Sequence, residues 1–220
     1  MFTGLIKGIG KIVAITPFSG GRKIAVQWDG FARADLAAGA SVAIDGACLS
    51  VERTEGDICH FLAVEETIAR TTLGQWSVSL SNPRNPGDAV NIELPATPQT
   101  FLDGHIVQGH IDCTGTIESF ASAGAQKTLK IRFPFDFSKY AANKGAIAID
   151  GISLTIADCG DGWLECAIIP DTLARTTLQF KQEGDSVNIE FDVLAKYVEA
   201  LLRYGDGMRD FRDDDIAAAY

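Results

Sequence analysis

Ile44-Asp45-Gly46-Ala47-Cys48-Leu49-Ser50-Val51 returns later in the chain as Ile149-Asp150-Gly151-Ile152-Ser153-Leu154-Thr155-Ile156. The displacement is 105 residues. The same displacement lays Thr67-Ile68-Ala69-Arg70-Thr71-Thr72-Leu73 on Thr172-Leu173-Ala174-Arg175-Thr176-Thr177-Leu178, and Gly4-Leu5-Ile6 with Gly10 on Gly109-His110-Ile111 with Gly115. A last shared segment, Gly87-Asp88-Ala89-Val90-Asn91-Ile92-Glu93 against Gly184-Asp185-Ser186-Val187-Asn188-Ile189-Glu190, is displaced by 97. The second copy is therefore shorter in one loop, where deletions are tolerated. So long a period exceeds a solenoid unit, and each copy is expected to be a domain with its own core.

Inside a copy the periodicity is that of strands. Residues 4–15, 23–28, 41–51, 58–64 and 88–94 are β-branched runs separated by glycine and polar clusters, and short, evenly spaced strands of this kind predict a closed barrel. The fold class expected is all-β: two tandem homologous six-stranded Greek-key barrels plus a C-terminal α-helix. Asp45-Gly46 and Asp150-Gly151 are candidate hairpin turns, but each lies within apolar sequence, which favours a bulge or sharp bend. Short helical turns are expected over 67–73 and its copy, with others at 33–36 and 139–143. Val193, Leu194, Tyr197, Val198, Leu201 and Leu202 recur at three- and four-residue intervals and predict a helix with one apolar face. The expected division is barrels over 1–97 and 98–192, an oligomerisation helix over 193–205, and an acidic, mobile tail over 206–220 that contains Asp213-Asp214-Asp215.

The 220 residues are 46% hydrophobic and carry a net charge of −10. That charge repels phosphate backbones and anionic lipid alike, so neither nucleic acid nor membrane is an expected partner. Met1-Phe2-Thr3-Gly4 does not open a signal peptide, and no apolar run is long enough to span a bilayer, which predicts a cytoplasmic protein. Five cysteines without a two-residue pair predict free thiols in a reducing compartment.

A common fold should place equivalent residues alike, and a function that treats the copies differently should break the equivalence. Copy one has Phe2, Ser41 and Cys48 where copy two has Val107, Ala146 and Ser153; copy two has His110 and Lys144 where copy one has Leu5 and Gly39. Cys48 between alanine and leucine reads as a small buried hydrophobe or as a nucleophile, and its counterpart Ser153 needs a hydrogen bond wherever it is buried. Asp150 reads first as a turn residue. His105 and His110 are candidates for proton transfer. Five apart on a strand they would face opposite sides, and no further cluster completes a coordination set, so no metal is expected. His60 reads as structural or exposed, the early glycines fit no phosphate loop, and the identical Arg70 and Arg175 argue for a shared structural task.

Taken together, Met1-Phe2-Thr3-Gly4, Ser41-Val42-Ala43 leading to Gly46-Ala47-Cys48-Leu49, Gly104-His105 through Gly109-His110, and Gly151-Ile152-Ser153-Leu154-Thr155 closely resemble riboflavin synthase of the alpha-chain type. The resemblance covers residues 1–204. It implies a homotrimer gathered by the C-terminal helix, in which the N-terminal barrel of one subunit faces the C-terminal barrel of a neighbour. It also implies a cofactor-free dismutation. Two molecules of 6,7-dimethyl-8-ribityllumazine per site exchange a four-carbon unit, yielding riboflavin and 5-amino-6-(D-ribitylamino)uracil.

Carried over residue by residue, Phe2, Gly4, Ser41, Cys48, Ser50, Val64 and Thr67 would form or border the N-barrel pocket. His105, His110, Lys144, Asp150, Gly151, Ser153, Thr155, Ile169 and Thr172 would form or border the facing one. His105 and Asp150 would move protons, Ser153 would orient them, and Cys48 with Ser41 would hold or activate the acceptor. Leu62, Asp45 and Asp103 depart from the family pattern, and Leu62 stands where some members carry an aspartate that would contact the ribityl chain. The rival reading is a lumazine or flavin carrier of the same fold without turnover. A flavin-dependent reductase would need a nicotinamide-binding domain that no stretch supplies.

Overall fold

The computed structural model describes residues 1–34, 36–75, 89–123 and 126–208. In the first copy β1 (Gly8–Phe18), β2 (Gly21–Gln27), β3 (Ser41–Ile44), β4 (Ala47–Glu55), β5 (Ile58–Val64) and β6 (Ala89–Glu93) close into a barrel in the order β1-β2-β5-β4-β3-β6. All the pairings are antiparallel. Strands β3, β4 and β5 follow one another as neighbours while β2 lies beside β5, which is a Greek key. The second copy repeats the order with β7 (Cys113–Ala123), β8 (Gln126–Arg132), β9 (Ala146–Ile149), β10 (Ile152–Gly160), β11 (Trp163–Ile168) and β12 (Ser186–Phe191).

Each barrel is filled by the inward half of an alternating pattern. Val42, Ile44, Leu49, Val51, Phe61 and Ile92 fill the first, and Ile147, Ile149, Leu154, Ile156, Leu164 and Ile189 the second. Burying a side chain of this size contributes about 1.5–3 kcal/mol, so alternation alone specifies register and facing. Helix α1 (Glu65–Arg70) and α2 (Pro170–Arg175) follow β5 and β11, each running into a short 3-10 turn whose Leu73 or Leu178 is buried in the barrel end. The identical arginines share a task as expected: Arg70 pairs with Glu66, and Arg175 with Asp171 at 2.7 Å, one turn earlier on the same helix.

Several local expectations need correction. Strand β1 begins at Gly8, because residues 2–4 leave the first barrel and lie against the second. The helical turn expected at 33–36 sits at Phe31–Arg33, and that at 139–143 spans Phe135–Tyr140. Asp45-Gly46 and Asp150-Gly151 are neither bulges nor bends. They are two-residue hairpin turns joining β3 to β4 and β9 to β10, with φ of 44° and 46° at the aspartates and 80° and 77° at the glycines. Positive φ at both central positions suits the right-handed twist of the flanking strands. Their apolar surroundings arise because the two turns pack back to back between the barrels, where a Cβ on Gly46 would lie 2.7 Å from the Gly151 nitrogen.

An approximate twofold axis runs through this seam. The Asn188 side-chain amide donates to the Asp45 carbonyl (2.8 Å) and accepts from the Thr72 N–H (2.8 Å); Asn91 donates to the Asp150 carbonyl (3.0 Å) and accepts from Thr177 N–H (2.8 Å). Helix α3 (Val193–Met208) follows β12 and is tied to the second barrel by Lys196 to Asp112 (2.7 Å) and by Tyr140 donating to Glu199 (2.9 Å). Its apolar face points away: Leu194, Tyr197, Val198, Leu201 and Leu202 are 56–71% exposed. The end of the acidic stretch, 209–220, lies outside the described residues.

Candidate active site

The side chains expected to react sit on the outside of the barrels. Ser41 pairs with Ser50 and Ala43 with Cys48 across β3 and β4, and these four alternate with the core residues Val42, Ile44, Ala47 and Leu49. Ser50 in turn lies opposite Leu62 on β5. The outer face thus carries half-buried Ser41 and Cys48, with Ser50, Leu62 and Val64 exposed, and half-buried Thr67 follows on α1. The second copy repeats this surface with Ala146, Ser153, Thr155 and exposed Ile169, and with half-buried Thr172 on α2.

Each surface is floored by a segment that crosses from the other copy. Phe2 and Val107 exchange backbone hydrogen bonds (2.7 and 3.1 Å), so residues 2–4 and 107–109 run antiparallel across the axis. Beyond this bridge the Ser153 N–H donates to the Gly4 carbonyl (2.8 Å), and the Cys48 N–H to the Gly109 carbonyl (2.9 Å). Gly4 and Gly109 have φ of 78° and 83°, and a Cβ on them would stand 2.5 Å from Ser153 Cβ and 2.6 Å from Cys48 Cβ. Neither the conformation nor the space admits a side chain. Phe2 is wholly buried with Ala43, Val107 and Ala148, and half-buried Cys48 packs on that cluster.

His105 and Ser153 meet, with Nδ1 and Oγ 2.7 Å apart. The backbone holds the histidine there, its N–H donating to the Thr3 carbonyl (3.2 Å). Nε2 is buried without a hydrogen-bond partner among the described residues. Burial pushes the imidazole pKa down, against the pull of the Asp192 carboxylate, so the ring is neutral near pH 7 and able to accept a proton. The segment 105–110 is not a strand as read from sequence; it carries one isolated bridge at Val107, and His110 is exposed.

Asp150 is not in this network. Its side chain is wholly buried, with Oδ1 accepting the Asn188 N–H (2.7 Å) and Oδ2 facing the Lys181 ammonium at 3.2 Å. Burial raises its pKa and Lys181 opposes the rise. Gly151 is likewise buried in the seam rather than on a pocket face. Lys144 is exposed with φ of 65°, in the left-handed region that Gly39 occupies in the first copy at 86°.

The sequence reading missed four buried polar residues. Glu93 Oε1 accepts the Thr3 N–H and hydroxyl (both 2.7 Å) and Oε2 the Gly4 N–H (2.9 Å); Glu190 accepts the N–H groups of Gln108 (2.7 Å) and Gly109 (2.9 Å). With Asn91 and Asn188 they form the repeated pattern Val-Asn-Ile-Glu. Its signal was two polar residues at fixed places in a strand that both copies repeat.

A model of the lumazine binding domain matches residues 3–95 and again 108–192, which defines the class as a tandem of such domains. The riboflavin synthase of Photobacterium phosphoreum is 36% identical over 203 residues, 92% of this chain and 89% of that protein. That of Mycobacterium bovis is 36% identical over 208 residues, 92% and 98% of the two chains. The chain belongs to the riboflavin synthase family. Among solved structures, the crystal structure of LumP complexed with riboflavin superposes with a TM-score of 0.76 at 22% identity, covering 87% of this chain and 99% of that one. LumP complexed with 6,7-dimethyl-8-(1'-D-ribityl) lumazine gives 0.74 at 21%, with the same coverage. These neighbours share the fold.

Proposed function

We propose that the chain is a riboflavin synthase, converting two molecules of 6,7-dimethyl-8-ribityllumazine into riboflavin and 5-amino-6-(D-ribitylamino)uracil in the cytoplasm without a cofactor. The observation that carries this reading is the pair of outer surfaces built on one scaffold but chemically unequal: Cys48 with Ser41 and Ser50 on one, Ser153 hydrogen-bonded to His105 on the other. A reaction between two identical molecules in different roles, donor and acceptor, calls for that inequality. Neutral His105 draws the proton from the C7 methyl of the donor through the Ser153 hydroxyl, which meets its Nδ1 and passes its own proton to the ring as it takes the other. The carbanion so formed attacks C7 of the acceptor, which Cys48 and Ser41 hold. Lys144, in a conformation that costs a side-chain residue roughly 1–2 kcal/mol, directs its ammonium toward the anionic form of the donor. Val64, Thr67, Ile169 and Thr172 border the rings, while Asp150 and Gly151 support the pocket from beneath by holding the β9–β10 turn.

Holding both rings in reacting geometry supplies much of the rate. The two surfaces of one chain lie on separate barrels, so each meets its complement on a neighbouring subunit, with the exposed face of α3 joining three chains. Purified protein given the ribityllumazine alone should generate riboflavin fluorescence. The second reading, a carrier that binds lumazine or flavin without turnover, is favoured by the likeness to the LumP complexes. In the same assay it would give saturable binding with no product.

A further inference from the structure

We propose that Glu93 and Glu190 are positioning residues wired crosswise, each glutamate holding the reactive side chain of the opposite barrel in place through a glycine segment. Glu190 belongs to β12 of the second barrel, yet the two N–H groups it binds, on Gln108 and Gly109, carry the carbonyl that receives the Cys48 N–H in the first barrel. Glu93 belongs to β6 of the first barrel, and holds Thr3 and Gly4. Their carbonyls receive the His105 and Ser153 N–H groups of the second copy.

The wiring follows from two facts. A buried carboxylate that accepts two converging N–H groups fixes both position and tilt of a short segment, because ionised acceptors make the stronger hydrogen bonds. At the point of contact with Cys48 or Ser153 the segment has no side chain with which to hold itself, since Gly109 and Gly4 leave no room for a Cβ there. The carboxylate is therefore the anchor, and the glycine carbonyl is the hand it extends. Burial pushes the Glu190 pKa up to about 7 against the pull of its two N–H donors, with Lys196 of α3 lowering it and Asp112 raising it. As a neutral acid the group would turn one oxygen from acceptor to donor and release one N–H. This assignment deepens the proposed function and rests on it only for what the pockets do.

The test needs neither substrate nor turnover, so it fails or succeeds independently of riboflavin synthesis. In a Cys159→Ala background Cys48 is the one half-buried thiol of the chain, and a small disulfide reagent reports its accessibility. Well above pH 7, where Glu190 is ionised, Glu190→Gln should speed Cys48 labelling about tenfold or more, the scale of one lost charge-assisted hydrogen bond, and leave the NMR titration of His105 unchanged. Glu93→Gln should do the reverse, shifting the His105 titration and leaving Cys48 labelling unchanged. In the wild-type chain, which needs no variant to fold, the Gln108, Gly109 and Cys48 amides should move together through one step near pH 7, while the Ser153 amide does not follow that step. Effects confined to each glutamate's own barrel, equal effects of both variants on both probes, or a Cys48 amide that ignores the step seen at Gly109 would each overturn the cross-wiring.

Discussion

Replacing Asn188 by alanine tests whether the seam holds the two barrels together. The side chain makes two buried hydrogen bonds to the other copy, one to the Asp45 carbonyl and one from the Thr72 N–H. Asp45 and Thr72 are 3% and 5% exposed, so water does not readily replace the lost partner. Leaving a buried donor or acceptor unpaired costs about 1–3 kcal/mol each, so the two together cost about 2–6 kcal/mol. At ~2–4 °C per kcal/mol for a chain of this length, Tm should fall by roughly 4–24 °C. Asn91→Ala removes the symmetry-related pair and should cost a similar amount. Urea unfolding gives the free energy, and scanning calorimetry shows whether the single transition splits once the barrels no longer support each other. A loss below about 0.5 kcal/mol, the scale of an ordinary surface substitution, would refute the assignment of the seam to these asparagines.

His105→Ala is expected to slow turnover at least ~10²-fold with little change in Tm, and exchange of the C7 methyl protons with deuterated solvent should slow in parallel. Since burial depresses the imidazole pKa, kcat/KM should rise with pH through a midpoint below 6.5, the value of an unperturbed imidazole, and that limb should vanish in the variant. Asp150→Asn should act through stability instead, costing about 1.5–3 kcal/mol as Lys181 loses its charged partner, with methyl exchange at the normal rate once the protein is folded. Cys48→Ser makes the first surface resemble the second; turnover should drop while ribityllumazine affinity, read by fluorescence titration, stays near wild type. Truncation after Asp192 removes α3, and light scattering should then report a smaller assembly than the trimer expected of the full chain.

The duplication, the barrels and the C-terminal helix were legible because each leaves a periodic trace: a long repeat, alternation along strands, helical spacing after Asp192. Asp45-Gly46 and Asp150-Gly151 were misread for a physical reason. Their apolar flanks belong to strands that pack turn against turn, and a sequence does not display contacts made across a domain seam. The same cause hid the role of Asp150, whose carboxylate serves the seam rather than the surface bearing Ser153. His105 and Ser153 lie 48 residues apart in the chain, and only the crossing of segment 2–4 onto the second barrel, with its carbonyls at Thr3 and Gly4, joins them. Glu93 and Glu190 escaped notice because a glutamate at a strand end usually points to water.

The exchanged segments have a consequence for a chain of half this length. A fragment ending after the first barrel would lack the Val107 and Gly109 backbone groups that pair with Phe2 and Cys48. Another molecule of the same fragment offers them in return, because Phe2 and Gly4 are the counterparts of Val107 and Gly109. Two such fragments would meet about a true twofold axis, with Phe2 against Phe2 and each Gly4 carbonyl on the other's Cys48. The full chain is in this sense a homodimer whose partners have been joined end to end. What the joining conferred was licence to diverge, since a symmetric pair must carry the same residue twice, and only fused halves can keep a thiol on one face and a hydroxyl on the other.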